Sequence, residues 1–334
     1  FIMKKFFYMI FAATMMLTIF TGCQKQSNNT NTNTNASAKE DTEDTNASSD
    51  QNNNQEVISV DHSMGTVSIP SDVKKVVIFD FGILDMIDSL GIDVELALPV
   101  DSLPAYLEHY GDVTNAGGIK EPNLEAIFEF EPDVIFIGSR QQDYYEQLAE
   151  IAPTIYVELN GDSYMEDFSS NLGYVAEVFG KQQETEEILN TINQKIEEVK
   201  ELTSKSEEKA LILLTNDGAL SVYGKGSRFG IIHDVLGVKA ADEAIEASTH
   251  GQTANFEYIS EINPDILFVV DRTVVVGGSN TANTVLDNDL VNETNAAKNG
   301  KIIALDPDIW YLSGGGIASI TEMIEDIREA YQAQ

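Results

Sequence analysis

The 334-residue chain has one cysteine, four histidines and one tryptophan. A single cysteine excludes an internal disulfide and any cysteine-based metal site. The histidines, at positions 62, 109, 233 and 250, have no neighbour at ligand spacing, and His62, His109 and His233 read as surface or packing residues. No HxH, HExxH or GxSxG occurs, so metal-assisted and serine-nucleophile hydrolysis lack their usual residues. Positive charge is scarce too: 20 Lys+Arg face 55 Asp+Glu, a formal net charge of -35. A surface that acidic repels nucleic acid and anionic lipid. Four residues are arginines, Arg140, Arg228, Arg272 and Arg328. Lysine can supply ordinary surface charge, whereas arginine suits bidentate recognition of an oxyanion.

What the chain does contain is one stretch used twice. Residues 123–140, NLEAIFEFEPDVIFIGSR, align without a gap to residues 255–272, NFEYISEINPDILFVVDR, 132 positions later, with eight of eighteen positions identical. Each copy reads as a short helix, a Pro-Asp break, an apolar run suited to a strand buried on both faces, and an arginine at the carboxyl end of that strand. In open α/β sheets ligands bind beyond the carboxyl ends of strands, so the repeat predicts two related lobes that each present one arginine, Arg140 or Arg272, to a common crevice. Glu125 and Glu257 occupy equivalent places at the start of the repeated helices. Pseudo-twofold lobes would expose one on each rim, suited to a two-fold partner, although the helix dipole also favours acid there.

At the amino end, Met3, Lys4 and Lys5 precede an apolar run, Phe6 to Phe20, too short to span a bilayer and stay. The sequence Phe20-Thr21-Gly22-Cys23 that closes it resembles a bacterial lipobox, which makes residues 1–22 a signal peptide and Cys23 the lipidated first residue of the mature protein. Its removal deletes two lysines and no acids, so the mature charge is -35 - 2 = -37. Residues 23–56 are then the lipidated cysteine and a polar tether that holds too little apolar surface to fold.

The remaining chain is expected to be α/β: two lobes with mainly parallel sheets, 57–162 and 204–334, joined by connecting helices over 163–203. The second connecting helix carries Ile188, Ile192, Ile196 and Val199 on one stripe. It reads as a stiff connector between lobes or as a plain core helix within one. Asp80-Phe81-Gly82 matches a kinase metal-binding triplet by letters only, with no glycine-rich or catalytic loop beside it. GKGSRFG, residues 224–230, is no phosphate loop, but it predicts a helix start with Ser227 as cap and Arg228 in the first turn. His250 lies in a small-residue loop and Tyr311 between a strand and a glycine run, where pocket packing is the plain alternative to a ligand role.

Taken together, the lipobox, the tether, the two (N/D)xE...PD strands and the long helix resemble the substrate-binding lipoproteins of ABC transporters for iron siderophores. Arg140 in GSRQQ, Arg228 in GKGSRFG, His250 in STHG, Arg272 in VVDR and Tyr311 in IWYLSGGG are similar to the catecholate and petrobactin-type branch. The resemblance covers about Val57 to the end. It implies a class III solute-binding fold without enzymatic activity or intrinsic cofactor, whose ligand is an Fe(III)-siderophore complex held by Arg140, Arg228 and Arg272. It implies that His250 and Tyr311 complete the iron shell when the siderophore leaves positions open. It further implies a permease dimer, for which the repeat makes Glu125 and Glu257 the docking candidates, a monomer, and a lipid anchor on the extracytoplasmic face of a Gram-positive cell membrane. Haem or cobalamin binding within the same transporter class stays open, and a surface hydrolase is the remaining alternative.

Overall fold

The computed structural model describes residues 57–332. Residues 1–22, 23–56 and Cys23, for which a signal peptide, a tether and lipidation are expected, lie outside the described residues. Strands β1 (Val57–His62) and β2 (Gly65–Pro70) form an antiparallel hairpin anchored by the fully buried Val60 and Ile69. Next come β3 (Lys75–Ile78), β4 (Glu95–Leu98), β5 (Thr114–Asn115), β6 (Val134–Ile137) and β7 (Thr154–Tyr156), which pair in the order β5-β4-β3-β6-β7, all parallel. Their continuous apolar runs follow from burial on both faces. Val76, Ile78, Val134 and Phe136 enter one core, while the intervening Val77, Ile135 and Ile137 enter another.

The second sheet is built from β8 (Lys209–Asn216), β9 (Ala219–Tyr223), β10 (Lys239–Ala240), β11 (Gln252–Ala254), β12 (Ile266–Asp271) and β13 (Ile302–Leu305). β8 pairs in parallel with β10 and β12, and β12 with β13, while β9 runs antiparallel to both β8 and β11. The two copies of the repeat are built alike. Asn123 and Asn255 cap helices Leu124–Phe130 and Phe256–Ile262, and Glu131 and Asn263 end them in left-handed conformations. The following Asp133 then accepts from the Lys74 and Lys75 amides at the start of β3, and Asp265 from the Lys209 amide at the start of β8. The Pro-Asp break thus pins each repeated strand to its sheet neighbour.

Between the sheets, helix Tyr164–Phe179 ends at Gly180 with φ +66°, and helix Gln182–Lys205 follows. The latter has 24 residues, about 36 Å at 1.5 Å rise per residue. Its stripe of Ile192, Ile196 and Val199 is buried, and Thr203 near its end donates to the Leu236 carbonyl beyond β9, 2.8 Å. It packs against helix Tyr164–Phe179, which touches β1 and helix Phe81–Ser89, so the connecting helices reach material on both sides.

Helix Ile317–Gln332 lies on the turn Asp308–Leu312 as well as on helices Gln182–Lys205 and Phe81–Ser89. Buried Asp85 of the latter accepts from the Ala318 and Ser319 amides, each 2.8 Å, which caps the terminal helix from across the fold. A Cβ on Gly316 would stand 2.2 Å from Asp85 Cγ, so this docking requires glycine there. One expectation needs correction, that of a helix start at GKGSRFG. Ser227 caps nothing; its hydroxyl donates back to the Gly224 carbonyl. A run of turns follows, and the helical segment is only Ile231–Val235. Arg228 is therefore held by a tight turn rather than by a helix start.

Candidate functional site

Strand ends and loops of both sheets line a cavity of 480 Å³. Arg140 follows β6 on a 3-10 turn, Arg228 sits on the turn after β9, and Arg272 directly follows β12. All three converge on Tyr311. The Nη2 atoms of Arg140 and Arg228 both donate to the Tyr311 carbonyl, at 3.1 and 2.9 Å, and Arg272 Nε donates to the Tyr311 hydroxyl at 2.7 Å. The guanidinium carbons stand 5.9, 4.3 and 5.3 Å from the Tyr311 ring centre, in the order Arg140, Arg228, Arg272. Arg140 and Arg228 line the cavity together with Tyr311 and His250, whereas Arg272 reaches it only through the Tyr311 phenol.

Three guanidinium groups around one phenol have a measurable consequence. Burial pushes the Tyr311 phenol up, but Arg228, the hydrogen bond from Arg272, and the charges of Arg272 and Arg140 outweigh it and hold the phenol below the ordinary tyrosine value. Arg228 in turn is lowered by burial and by its neighbour Arg140. This cluster is strongly electropositive within a chain of net charge -35.

His250 is exposed at the cavity, its amide donates to the Ser248 hydroxyl at 3.2 Å, and its ring makes no hydrogen bond among the described residues. The other histidines are engaged in the fold. His233 is buried with Nδ1 at 2.9 Å from the Val238 carbonyl, His109 Nε2 meets Asp88, and His62 Nδ1 accepts from the Met64 amide. Among the described residues no group of three or more His, Cys, Asp or Glu is arranged to hold a metal ion. Glu125 and Glu257 are exposed in the first turns of the two equivalent helices. Cys23 lies outside the described residues.

Sequence reasoning passed over several cavity residues. Lys120, Leu159, Glu158 and Asp80 all line it. Asp80 had a local signal, since an acid between a buried strand and an apolar helical period is a cap. Its Oδ1 accepts from the Gly82 and Ile83 amides at 3.0 and 3.2 Å. Burial raises its carboxyl above the ordinary value against the opposing effects of Arg140 and those amides. The cleft narrows at Gly161, where a Cβ would stand 1.8 Å from the Ser227 carbonyl oxygen. Only glycine lets the loop after β7 meet the turn that carries Arg228.

Comparison with known proteins agrees with this architecture. The petrobactin-binding protein YclQ of Bacillus subtilis (strain 168) is 38% identical over 336 residues, covering 99% of this chain and all of that protein. The ferric-anguibactin-binding protein FatB of Vibrio anguillarum is 34% identical over 291 residues, 83% of this chain and 88% of its own length. The crystal structure of YclQ superposes with a TM-score of 0.80 at 42% identity, covering 83% of this chain and 99% of that one. The periplasmic binding protein family matches residues 77–309. Two mainly parallel sheets bridged by a long helix, with that match spanning both, make this chain a member of the periplasmic binding protein family with the class III architecture.

Proposed function

We propose that this chain captures a ferric siderophore of catecholate or petrobactin type between its two lobes and delivers it to the permease dimer of an ABC transporter. The convergence of Arg140, Arg228 and Arg272 on Tyr311 carries this reading. A ferric tris-catecholate has a formal charge of about -3, and an acidic protein that binds it must concentrate cations in the cleft. Three of the four arginines do so here. Ligand oxygens would replace the Tyr311 carbonyl as acceptors for Arg140 and Arg228. The relatives' names, petrobactin-binding and ferric-anguibactin-binding, support the same ligand class.

In this reading the iron arrives as cargo, and there is no resident cofactor and no enzymatic step. When a siderophore offers four donors, the imidazole of His250 and the phenolate of Tyr311 fill the two remaining positions of octahedral iron. Glu125 and Glu257 dock one lobe each on the permease dimer. Removal of residues 1–22 and lipidation of Cys23 anchor a monomer on the extracytoplasmic side of the membrane, with residues 23–56 as tether and 57–162 and 204–334 as the lobes. The test is a pair of titrations, one with a ferric catecholate and one with haemin, followed by visible absorption and by Trp310 fluorescence. Quenching by the catecholate with retention of its charge-transfer band is expected. A shifted haemin band without a catecholate response would instead establish the haem alternative.

A further inference from the structure

Among the described residues the Tyr311 carbonyl is the one hydrogen-bond acceptor of both Arg140 and Arg228, so its position sets where two like charges from the two lobes stand. The turn that carries it, Asp308–Leu312, follows β13 of the second sheet. Both flanks of that turn are nevertheless tied to the first lobe. At its start the Ala105 amide donates to Asp308 Oδ2 at 3.2 Å. At its end the Tyr106 hydroxyl donates to Ser313 Oγ at 2.9 Å and shares its proton with Asp85 Oδ2 at 3.0 Å. Ser313 in turn donates to the Asp308 carbonyl at 2.7 Å, which closes the turn on itself. Asp85 and Ser313 are buried and Tyr106 is half-buried. Just beyond, the chain passes so close to helix Phe81–Ser89 that a Cβ on Gly82 would stand 2.8 Å from the Gly315 carbonyl carbon. The second sheet meets the same turn through Arg228, Arg272 and the short helix Arg272–Val276.

We infer that Tyr106 is a positioning residue for the cleft: by bridging Asp85 and Ser313 it fixes the Tyr311 turn to the first lobe, so that arginines of both lobes stand ready for the ligand. This rests on the reading of the cleft as the ligand site and adds a residue that does not line it, since Ser313 faces the cavity whereas Tyr106 and Asp85 do not. Tyr110 supplies the contrast. It lies on the same 3-10 turn, Ala105–Tyr110, and donates to Asp88 of the same helix at 2.9 Å, but makes no hydrogen bond to the Tyr311 turn. A hydroxyl that served only to anchor its own turn would need one acceptor, as in Tyr110. Tyr106 has a second, 207 residues away in sequence. Without it the end of the Tyr311 turn loses its tie to the first lobe, and a ligand must order what was already ordered, which lowers affinity.

The experiment titrates a ferric tris-catecholate into wild type, Tyr106→Phe, Ser313→Ala, the double variant and Tyr110→Phe, with a melting curve for each. Tyr106→Phe and Ser313→Ala should each weaken binding by about two- to tenfold, the worth of one neutral hydrogen bond. The double variant should lose no more than the weaker of the two single variants, because both remove the same bond. Tyr110→Phe should keep wild-type affinity whatever it does to the melting temperature. A second readout needs no ligand: Trp310, the single tryptophan, is on the same turn, and its emission should change in Tyr106→Phe and not in Tyr110→Phe. Wild-type affinity in Tyr106→Phe would overturn the inference. So would an equal affinity loss in Tyr110→Phe, which would make both tyrosines supports of the fold, or losses that add in the double variant. Failure of wild type to bind the complex would remove the siderophore reading alone, and the Trp310 emission would then decide whether Tyr106 places the turn.

Discussion

Replacing Arg228 by alanine tests the centre of the site. Arg228 donates to the Tyr311 carbonyl at 2.9 Å and stacks on the Tyr311 ring at 4.3 Å, the shortest of the three arginine-ring distances. In the complex its guanidinium should exchange the carbonyl for a ligand oxygen. Loss of a hydrogen bond to a charged group costs about 1.5–3 kcal/mol, roughly a 10- to 150-fold loss of affinity. Little of this is recovered in the empty protein, because Arg140 still satisfies the Tyr311 carbonyl at 3.1 Å. A second readout comes from the phenol. Arg228 is the largest influence lowering the Tyr311 value, so its removal should move the Tyr311 ionisation upward. The assay is fluorescence titration with a ferric catecholate plus ultraviolet difference titration referenced to Tyr311→Phe. Arg272→Ala should raise the phenol in the same direction yet cost less affinity, since Arg272 reaches the cavity only through Tyr311. An Arg228→Ala protein that keeps wild-type affinity and an unmoved phenol refutes the reasoning.

Other expectations follow from the same geometry. Glu125→Ala with Glu257→Ala should abolish uptake into cells while ligand binding in solution stays at the wild-type value; normal uptake would reduce these acids to helix-terminal charges. His250→Ala with Tyr311→Phe should weaken a ferric bis-catecholate and shift its visible band, yet leave a ferric tris-catecholate nearly unchanged; identical behaviour toward both would make the two residues packing. Asp326 accepts from Trp310 Nε1 at 2.7 Å, and burial, against that hydrogen bond, pushes its carboxyl up to about 6. A folded value above the unfolded one means that the ionised form disfavours folding near neutrality, and that this penalty fades as pH falls through about 6. Asp326→Asn, which keeps an acceptor for the indole, should therefore raise the melting temperature at pH 7.5 and not at pH 4, where the wild-type group is already neutral.

Much of this architecture was legible because it is local or repeated. The spacing of Ile188, Ile192, Ile196 and Val199 gave the long helix, and the twofold motif gave two parallel strands with an arginine after each. Its Asn caps and Asp anchors operate within or just beside the repeat, so chain order alone carries them. The site itself is partly legible by scarcity, since an acidic chain with four arginines has few places to hold an anion.

What the tertiary structure alone decided is everything that depends on distant segments meeting. Arg140 and Tyr311 are 171 residues apart, and Arg228 and Tyr311 are 83 apart. No periodicity encodes that both guanidinium groups share one carbonyl. The GKGSRFG stretch has the letters of a helix start, but β9 ends just before it and the Gly161 loop crowds the Ser227 carbonyl, so tertiary contact selects a turn instead. The last helix has an apolar stripe that any surface of the right shape could cover. Its docking on helix Phe81–Ser89 is fixed by Asp85, whose two carboxylate oxygens accept from the Ala318 and Ser319 amides 233 and 234 residues away in sequence. Asp80 is the clearest division: its capping role is written in the residues beside it, whereas its free oxygen in an arginine-lined cavity exists only because strand ends from two sheets come together there.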